Sequence, residues 1–226
     1  MRTIILLHGA LGSARQMELL EGYFTDFNVI TPDFPGHGKL ANLGDSFSIH
    51  EFAMDLKTRM EYLSEPADVF GYSMGGYVAL YLASREPEKF NSITTLGTKF
   101  RWNPETAEKE VKMLNPHKIE EKVPALAQQL AERHGNDHWK DVVNRTALML
   151  KNMGDFPPLK DEDLFKVNLP VQLLLGDEDN MVTTEETEKV HKILKQGVLS
   201  VLKKMPHPFE KVGHEKIAGI IRQFAK

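Results

Sequence analysis

The chain has 226 residues, enough for one domain with a modest insertion, and its 41% hydrophobic and 27% charged residues give an ordinary globular balance. A net charge of −4 with both signs interspersed argues against a nucleic-acid or anionic-membrane surface. The absence of cysteine excludes disulfides, thiol catalysis and thiolate metal sites, and a reducing, cytoplasmic setting is expected.

Taken in order, Thr3 to Leu7 is apolar and β-rich, too short for a signal-peptide core, and reads as a first strand buried on both faces. A glycine-punctuated loop, His8 to Ser13, leads to a helix over Ala14 to Phe24, and Phe27 to Thr31 is a second strand. Pro32 to Gly38 is dense in turn residues. Ser48 and Glu51 form a capping box for a helix to about Leu63, with Phe52, Leu56, Met60 and Leu63 on one face. Ala67 to Gly71 is a third strand, Tyr77 to Ala83 a helix, and Asn91 to Leu96 a fourth strand. The alternation then breaks. From about Thr98 to Val167 the pattern is helical: one segment after Asn103-Pro104, one over Ile119 to His134, and one over Asp137 to Met153. The stripe Trp139, Val142, Val143, Thr146, Ala147, Leu150 reads as core packing. Leu169 to Leu175 and Val198 to Met205 are the last strands, separated by a helix over Thr184 to Lys195. A final amphipathic helix carries Val212, Ile217, Ile220, Ile221 and Phe224. This rhythm predicts an α/β protein with a doubly wound, mostly parallel six-stranded sheet flanked by helices. Residues 1–97 and 168–226 would form that core, and 98–167 a helical cap insertion over the sheet's carboxyl edge. No apolar run approaches the length of a membrane span.

Between the third strand and its helix stands Gly71-Tyr72-Ser73-Met74-Gly75. A serine hydroxyl is a poor nucleophile unless the fold exposes it and a base takes its proton. A sharp strand-to-helix turn does the exposing. The turn crowds the positions two before and two after Ser73, which explains glycine at both. The helix that follows points its first amides back at the serine, ready for a developing oxyanion. Ser73 is the candidate nucleophile.

Together with His8-Gly9 after the first strand, Asp33-x-x-Gly36-His37-Gly38 after the second, Gly176-x-x-Asp179 after the fifth and His207 after the sixth, this elbow resembles the α/β-hydrolase superfamily. The resemblance covers everything except the helical insertion, which is similar to the family's variable cap. The two antiparallel edge strands of larger members are expected to be missing. The resemblance implies Asp179 as the acid of a catalytic triad, with Asp177 and Glu178 as neighbouring rivals. It implies His207 as the base; His214, inside the last helical pattern, is the alternative and is expected to be exposed. His8, His37 and Asp33 are expected to organise loops, and Glu210 to tie down the histidine loop or cap its helix. The oxyanion hole would use the backbone N–H of Met74 and that of Ala10 or Leu11.

These roles imply a serine hydrolase acting on small carboxylic esters or thioesters, with neither cofactor nor metal. The partner would be a small-molecule substrate, with no nucleic acid or membrane involved and the oligomeric state open. Tyr72, Met113, Leu126 and Met149 are the candidate substrate contacts. Two alternatives stand beside this reading: a triad-dependent lyase resembling the menaquinone-pathway branch, and a hydrolase-fold binding protein with little turnover.

Overall fold

The computed structural model describes residues 1–43 and 46–225. Strands β1 (Thr3–Leu7), β2 (Asn28–Ile30), β3 (Ala67–Tyr72), β4 (Phe90–Leu96), β5 (Val171–Glu178) and β6 (Gly197–Pro206) form one sheet. Its order is β2-β1-β3-β4-β5-β6, with every neighbouring pair parallel. Period-two alternation divides the central strands between two layers. Ile5, Leu7, Val69, Ile93 and Leu173 face one cluster, and Ile4, Leu6, Phe70, Leu96 and Leu174 face the other. The first layer is covered by α2 (Ile49–Met60), α3 (Met74–Ala83) and α9 (Thr184–Ile193), the second by α1 (Ala14–Glu21) and α10 (His214–Phe224). Burial on both sides is why β1 and β3 are apolar without alternation. The Ser48 hydroxyl caps α2 by accepting from the Glu51 N–H at 3.1 Å.

The chain leaves β1 for β2 on one side and returns to β3 on the other. That reversal is where parallel sheets hold ligands, outside the carboxyl ends of their strands. His8-Gly9 and Ser73 follow directly from those two ends.

Five helices lie between β4 and β5: α4 (Pro104–Val111), α5 (Pro116–Lys122), α6 (Pro124–His134), α7 (Trp139–Asp155) and α8 (Asp161–Lys166). The expected helix over Ile119 to His134 is therefore two. Proline at 124 lacks an N–H and pushes Val123 out of the helical region, to φ −137° and ψ 60°. The six residues of α8 were not expected at all, being too few to show a period. From α7, Val142, Met149 and Met153 enter the main core, each contributing about 1.5–3 kcal/mol by burial, which holds the helical segment onto the sheet. Trp139 packs with Ile119, Ala127, Leu130 and Val143 in a smaller cluster.

Candidate active site

Ser73 stands alone between β3 and α3 with φ 50° and ψ −114°, outside the usual regions for a residue with a side chain. The turn is held through its backbone: the Ser73 N–H donates to the Leu96 carbonyl at 2.8 Å, and the Thr98 hydroxyl donates to the Ser73 carbonyl at 2.9 Å. A Cβ on Gly71 would overlap the Gly75–Gly76 backbone, and one on Gly75 would lie 2.6 Å from the Leu7 carbonyl oxygen. The glycine spacing is thus a steric requirement of the turn.

Asp179 and His207 come together from the ends of β5 and β6. His207 Nδ1 donates to Asp179 Oδ2 at 2.7 Å, with side chains only 8% and 2% exposed. The other carboxylate oxygen accepts the N–H groups of Met181 at 2.8 Å and Val182 at 2.9 Å. Burial alone would raise the Asp179 pKa. The hydrogen bond and charge of His207, with the two backbone amides, outweigh it and hold the carboxyl below its usual range. Behind the histidine, the Tyr72 hydroxyl donates to the His207 carbonyl at 3.0 Å. Gly97, at φ 59°, lies against the pair: a Cβ there would stand 3.1 Å from Asp179 Oδ2 and 3.2 Å from His207 Nδ1. Asp177 and Glu178 are exposed, and Asp177 accepts the Met205 N–H at 3.4 Å. His214 opens α10 and differs from expectation. It is half-buried, its ring edge-on to Phe209 at 5.0 Å, and its Nε2 is buried without a partner among the described residues.

A cavity of about 70 Å³ is lined by both Ser73 and His207, together with Ala10 and Met74. The helical segment contributes Trp102, Leu150 and Met153 to its walls. One wall is charged: Lys99 pairs with Glu110 at 3.3 Å and also donates to the Met181 carbonyl.

Four expected substrate contacts lie elsewhere. Met113 falls beyond the end of α4 and is 55% exposed. Leu126 packs against the Trp139 cluster. Met149 is buried in the main core, because one residue along a helix turns the side chain by about 100°, and here its neighbour Leu150 lines the cavity instead; Met153, one turn on, both packs in that core and lines the cavity. Tyr72 supports the His207 backbone from behind. Leu11 likewise does not line the cavity, whereas Ala10 and Met74 do. Lys99 and Glu110 were not expected at the site. Lys99 follows β4 so closely that its position past a strand's carboxyl end was the available signal.

Three histidines, His8, His37 and His134, cluster beside the site, with ring centroids 5.2 and 5.8 Å apart. Each has its tautomer set by a backbone partner. His8 Nε2 accepts the Phe34 N–H at 3.1 Å, so Nδ1 donates to the Gly9 carbonyl at 2.8 Å. His134 Nδ1 accepts the Gly38 N–H at 2.9 Å, so Nε2 donates to the Leu11 carbonyl at 3.0 Å. His37 donates to the Pro35 carbonyl at 3.2 Å. Asp33 organises the same loops by accepting the N–H groups of Ala14 at 2.7 Å and Lys39 at 3.0 Å.

Burial lowers all three histidines, His8 and His134 to about 4 and His37 well below its ordinary value. Mutual repulsion adds to this, with Arg133 acting on His8 and His134 and Arg145 on His37; Asp33 opposes it at His8 and His134. The unfolded chain, with histidines near 6.5, binds more protons than the folded one between those values. Stability should therefore be full above about pH 6.5 and fall as pH drops towards 4, by on the order of several kcal/mol. Denaturant unfolding at pH steps from 7.5 to 4.5 checks this; a flat profile across that window would refute it.

Comparison with known proteins agrees with this architecture. A family model described as alpha/beta hydrolase fold matches residues 2–166. A pimeloyl-[acyl-carrier protein] methyl ester esterase of Neisseria meningitidis serogroup C is 28% identical over 250 aligned positions, covering 100% of this chain and 94% of that protein. Among solved structures, MGS-M2, an alpha/beta hydrolase from a Medee basin deep-sea metagenome library, superposes with a TM-score of 0.82 at 15% identity, covering 99% of this chain and 88% of that one. A thermophilic esterase from Thermogutta terrifontis gives 0.78 at 19% identity, covering 99% and 89%. Among the described residues no helix is long and apolar enough to cross a membrane. With the family model spanning most of its length, the chain belongs to the alpha/beta hydrolase fold family.

Proposed function

We propose that this chain is a serine hydrolase of carboxylic esters or thioesters, with Ser73 as nucleophile, His207 as general base and acid, and Asp179 as the group that orients it. The reading is carried by the 2.7 Å His207–Asp179 hydrogen bond behind a cavity shared with a serine held at φ 50°. With Nδ1–H committed to Asp179, Nε2 of His207 is left to take the Ser73 proton as the hydroxyl oxygen attacks the carbonyl carbon. The resulting oxyanion would be held by the N–H groups of Met74 and Ala10, both on the cavity, the former at the N-terminus of α3. Protonated His207 returns the proton to the leaving alcohol or thiol, and water repeats the sequence to release the acid.

The cavity wall, mainly apolar side chains, supports an aliphatic acyl group. The name of the Neisseria relative puts methyl esters of carrier-bound acyl groups first among substrates to try. The test is labelling with a fluorophosphonate probe, followed by methyl ester, p-nitrophenyl ester and thioester panels of increasing acyl length. An unlabelled protein that turns over none of them would overturn the reading.

The helices between β4 and β5 would act as a cap selecting the acyl chain, chiefly through Leu150 and Met153 on α7. Met153→Ala should move the kcat/KM optimum to longer chains, by about 1–3 kcal/mol per methylene accommodated. Met113→Ala, at an exposed position, should leave the chain-length profile as it is. Equal shifts in both variants would show that selection does not occur at this wall.

A further inference from the structure

Leu11 has φ 57°, one of three positive-φ residues other than glycine among the described residues. Leucine is disfavoured there, and such an outlier persists only where surrounding contacts over-determine it. The contacts come from the helical segment. Arg133 Nη1 donates to the Leu11 carbonyl at 2.7 Å, and His134 Nε2 donates to the same oxygen at 3.0 Å. Both residues sit in the last turn of α6. The Leu11 side chain packs into the small cluster of Ile119, Leu130, Trp139 and Val143, which belongs to α5, α6 and α7.

Arg133 is itself held from the other side. Its Nη2 donates to Glu210 at 3.1 Å, and Glu210 also accepts from Gln16 Nε2 at 2.7 Å. Glu210 lies three residues after His207. One guanidinium thus joins α6, the loop after β1 and the loop after β6. His134 is neutral and committed, because Gly38 occupies its other nitrogen.

Fixing the peptide after Leu11 and the Leu11 side chain also fixes the direction of the peptide before it. That peptide joins Ala10, on the cavity wall, to Leu11. The Gly12 N–H, in the same peptide as the Leu11 carbonyl, donates to the Gly9 carbonyl at 3.0 Å and so ties in the Gly9–Ala10 peptide, which carries the Ala10 N–H. We propose that Arg133 and His134 are positioning residues for the oxyanion loop: through the Leu11 carbonyl, the docked helical segment aims the amides that follow His8-Gly9, and so sets the rate of the chemical step. The inference rests on the hydrolytic reading of Ser73 given above.

Arg133→Met keeps the aliphatic stem and removes the donor, and His134→Leu removes the second. Each should lower kcat per labelled site on a p-nitrophenyl ester by about 10²-fold, the scale of a misplacement near 1 Å, with KM within about twofold of the starting protein. Arg133→Lys should recover much of the loss, since an ammonium can still reach a carbonyl. Backbone hydrogen exchange over residues 9–12 should rise in Arg133→Met and His134→Leu. A merely structural role would reduce the fraction of labelled protein and leave kcat per labelled site unchanged; that result would overturn the proposal. So would unchanged exchange over residues 9–12 in both variants, whatever their activity. Should Arg133→Met fail to fold, Glu210→Gln, which loosens Arg133 without removing it, carries the same two measurements. If the unaltered protein neither labels nor turns over, the Ser73 reading has failed, and the exchange comparison still decides whether Arg133 and His134 hold the loop.

Discussion

Ser73→Ala is expected to abolish fluorophosphonate labelling and to lower kcat by on the order of 10⁴-fold or more, with the chain still folded. Under the proposed mechanism the hydroxyl is the atom that bonds to substrate. The other hydroxyl on the cavity wall, that of Tyr77, accepts the Leu159 N–H at 3.1 Å. Lys99, the obvious rival nucleophile, is paired with Glu110 and donates to the Met181 carbonyl. The fold should tolerate the change because the elbow is built without the hydroxyl. It rests on the Ser73 N–H to Leu96 bond, the Thr98 bond to the Ser73 carbonyl and the two cramped glycines. Alanine meets the same backbone strain at φ 50° as serine does, so the melting temperature should move little. Ester turnover and thermal unfolding on one preparation check both halves. Undiminished turnover in a folded Ser73→Ala protein would sink the hydrolytic mechanism.

What could be read before the structure was whatever the local pattern determines. The apolar run Thr3–Leu7 became β1 with the same bounds, because burial on both faces favours a continuous apolar run. The glycines around Ser73 announced a turn whose crowding requires them. Asp179 and His207 could be placed at strand ends because parallel strands bring their carboxyl ends to one edge. What could not be read was rotation and reach. Periodicity gives α7 an apolar stripe, and it does not say that Met149 turns into the core while Leu150 turns into the cavity. The split at Pro124 was visible in principle, since the residue before a proline resists the helical region. The grip of Arg133 and His134 on the Leu11 carbonyl had no signal, because a backbone acceptor looks the same at every position. The cluster of His8, His37 and His134 was equally hidden, being assembled from three distant segments.

Asp179→Asn should cost nearly as much as losing the serine, about 10⁴-fold in kcat, by reversing one proton rather than by moving any atom. The two oxygens of the carboxylate have different duties. Oδ1 accepts two backbone N–H groups, from Met181 and Val182, and Oδ2 accepts from His207. An asparagine side chain has one acceptor and one NH₂ group, so it must choose which side receives which. Turning the NH₂ towards Met181 and Val182 would set donors against donors and forfeit two hydrogen bonds. The amide oxygen therefore stays with the backbone, and the NH₂ faces His207 Nδ1. That nitrogen must then accept, which moves the ring proton to Nε2, the position from which the Ser73 proton has to be taken. The base is blocked although its ring has not shifted. Gly97 helps to enforce this outcome: packed against both Asp179 and His207, it limits the ring's freedom to swing to another partner. Two observations distinguish this account from simple unfolding. Thermal stability should fall only modestly, since the acceptor for Met181 and Val182 is retained, and nitrogen-15 shifts of His207 should report the Nε2–H tautomer in the variant and Nδ1–H in the starting protein. A folded Asp179→Asn protein with Nδ1–H and full turnover would remove Asp179 from the mechanism and leave the 2.7 Å contact a structural one.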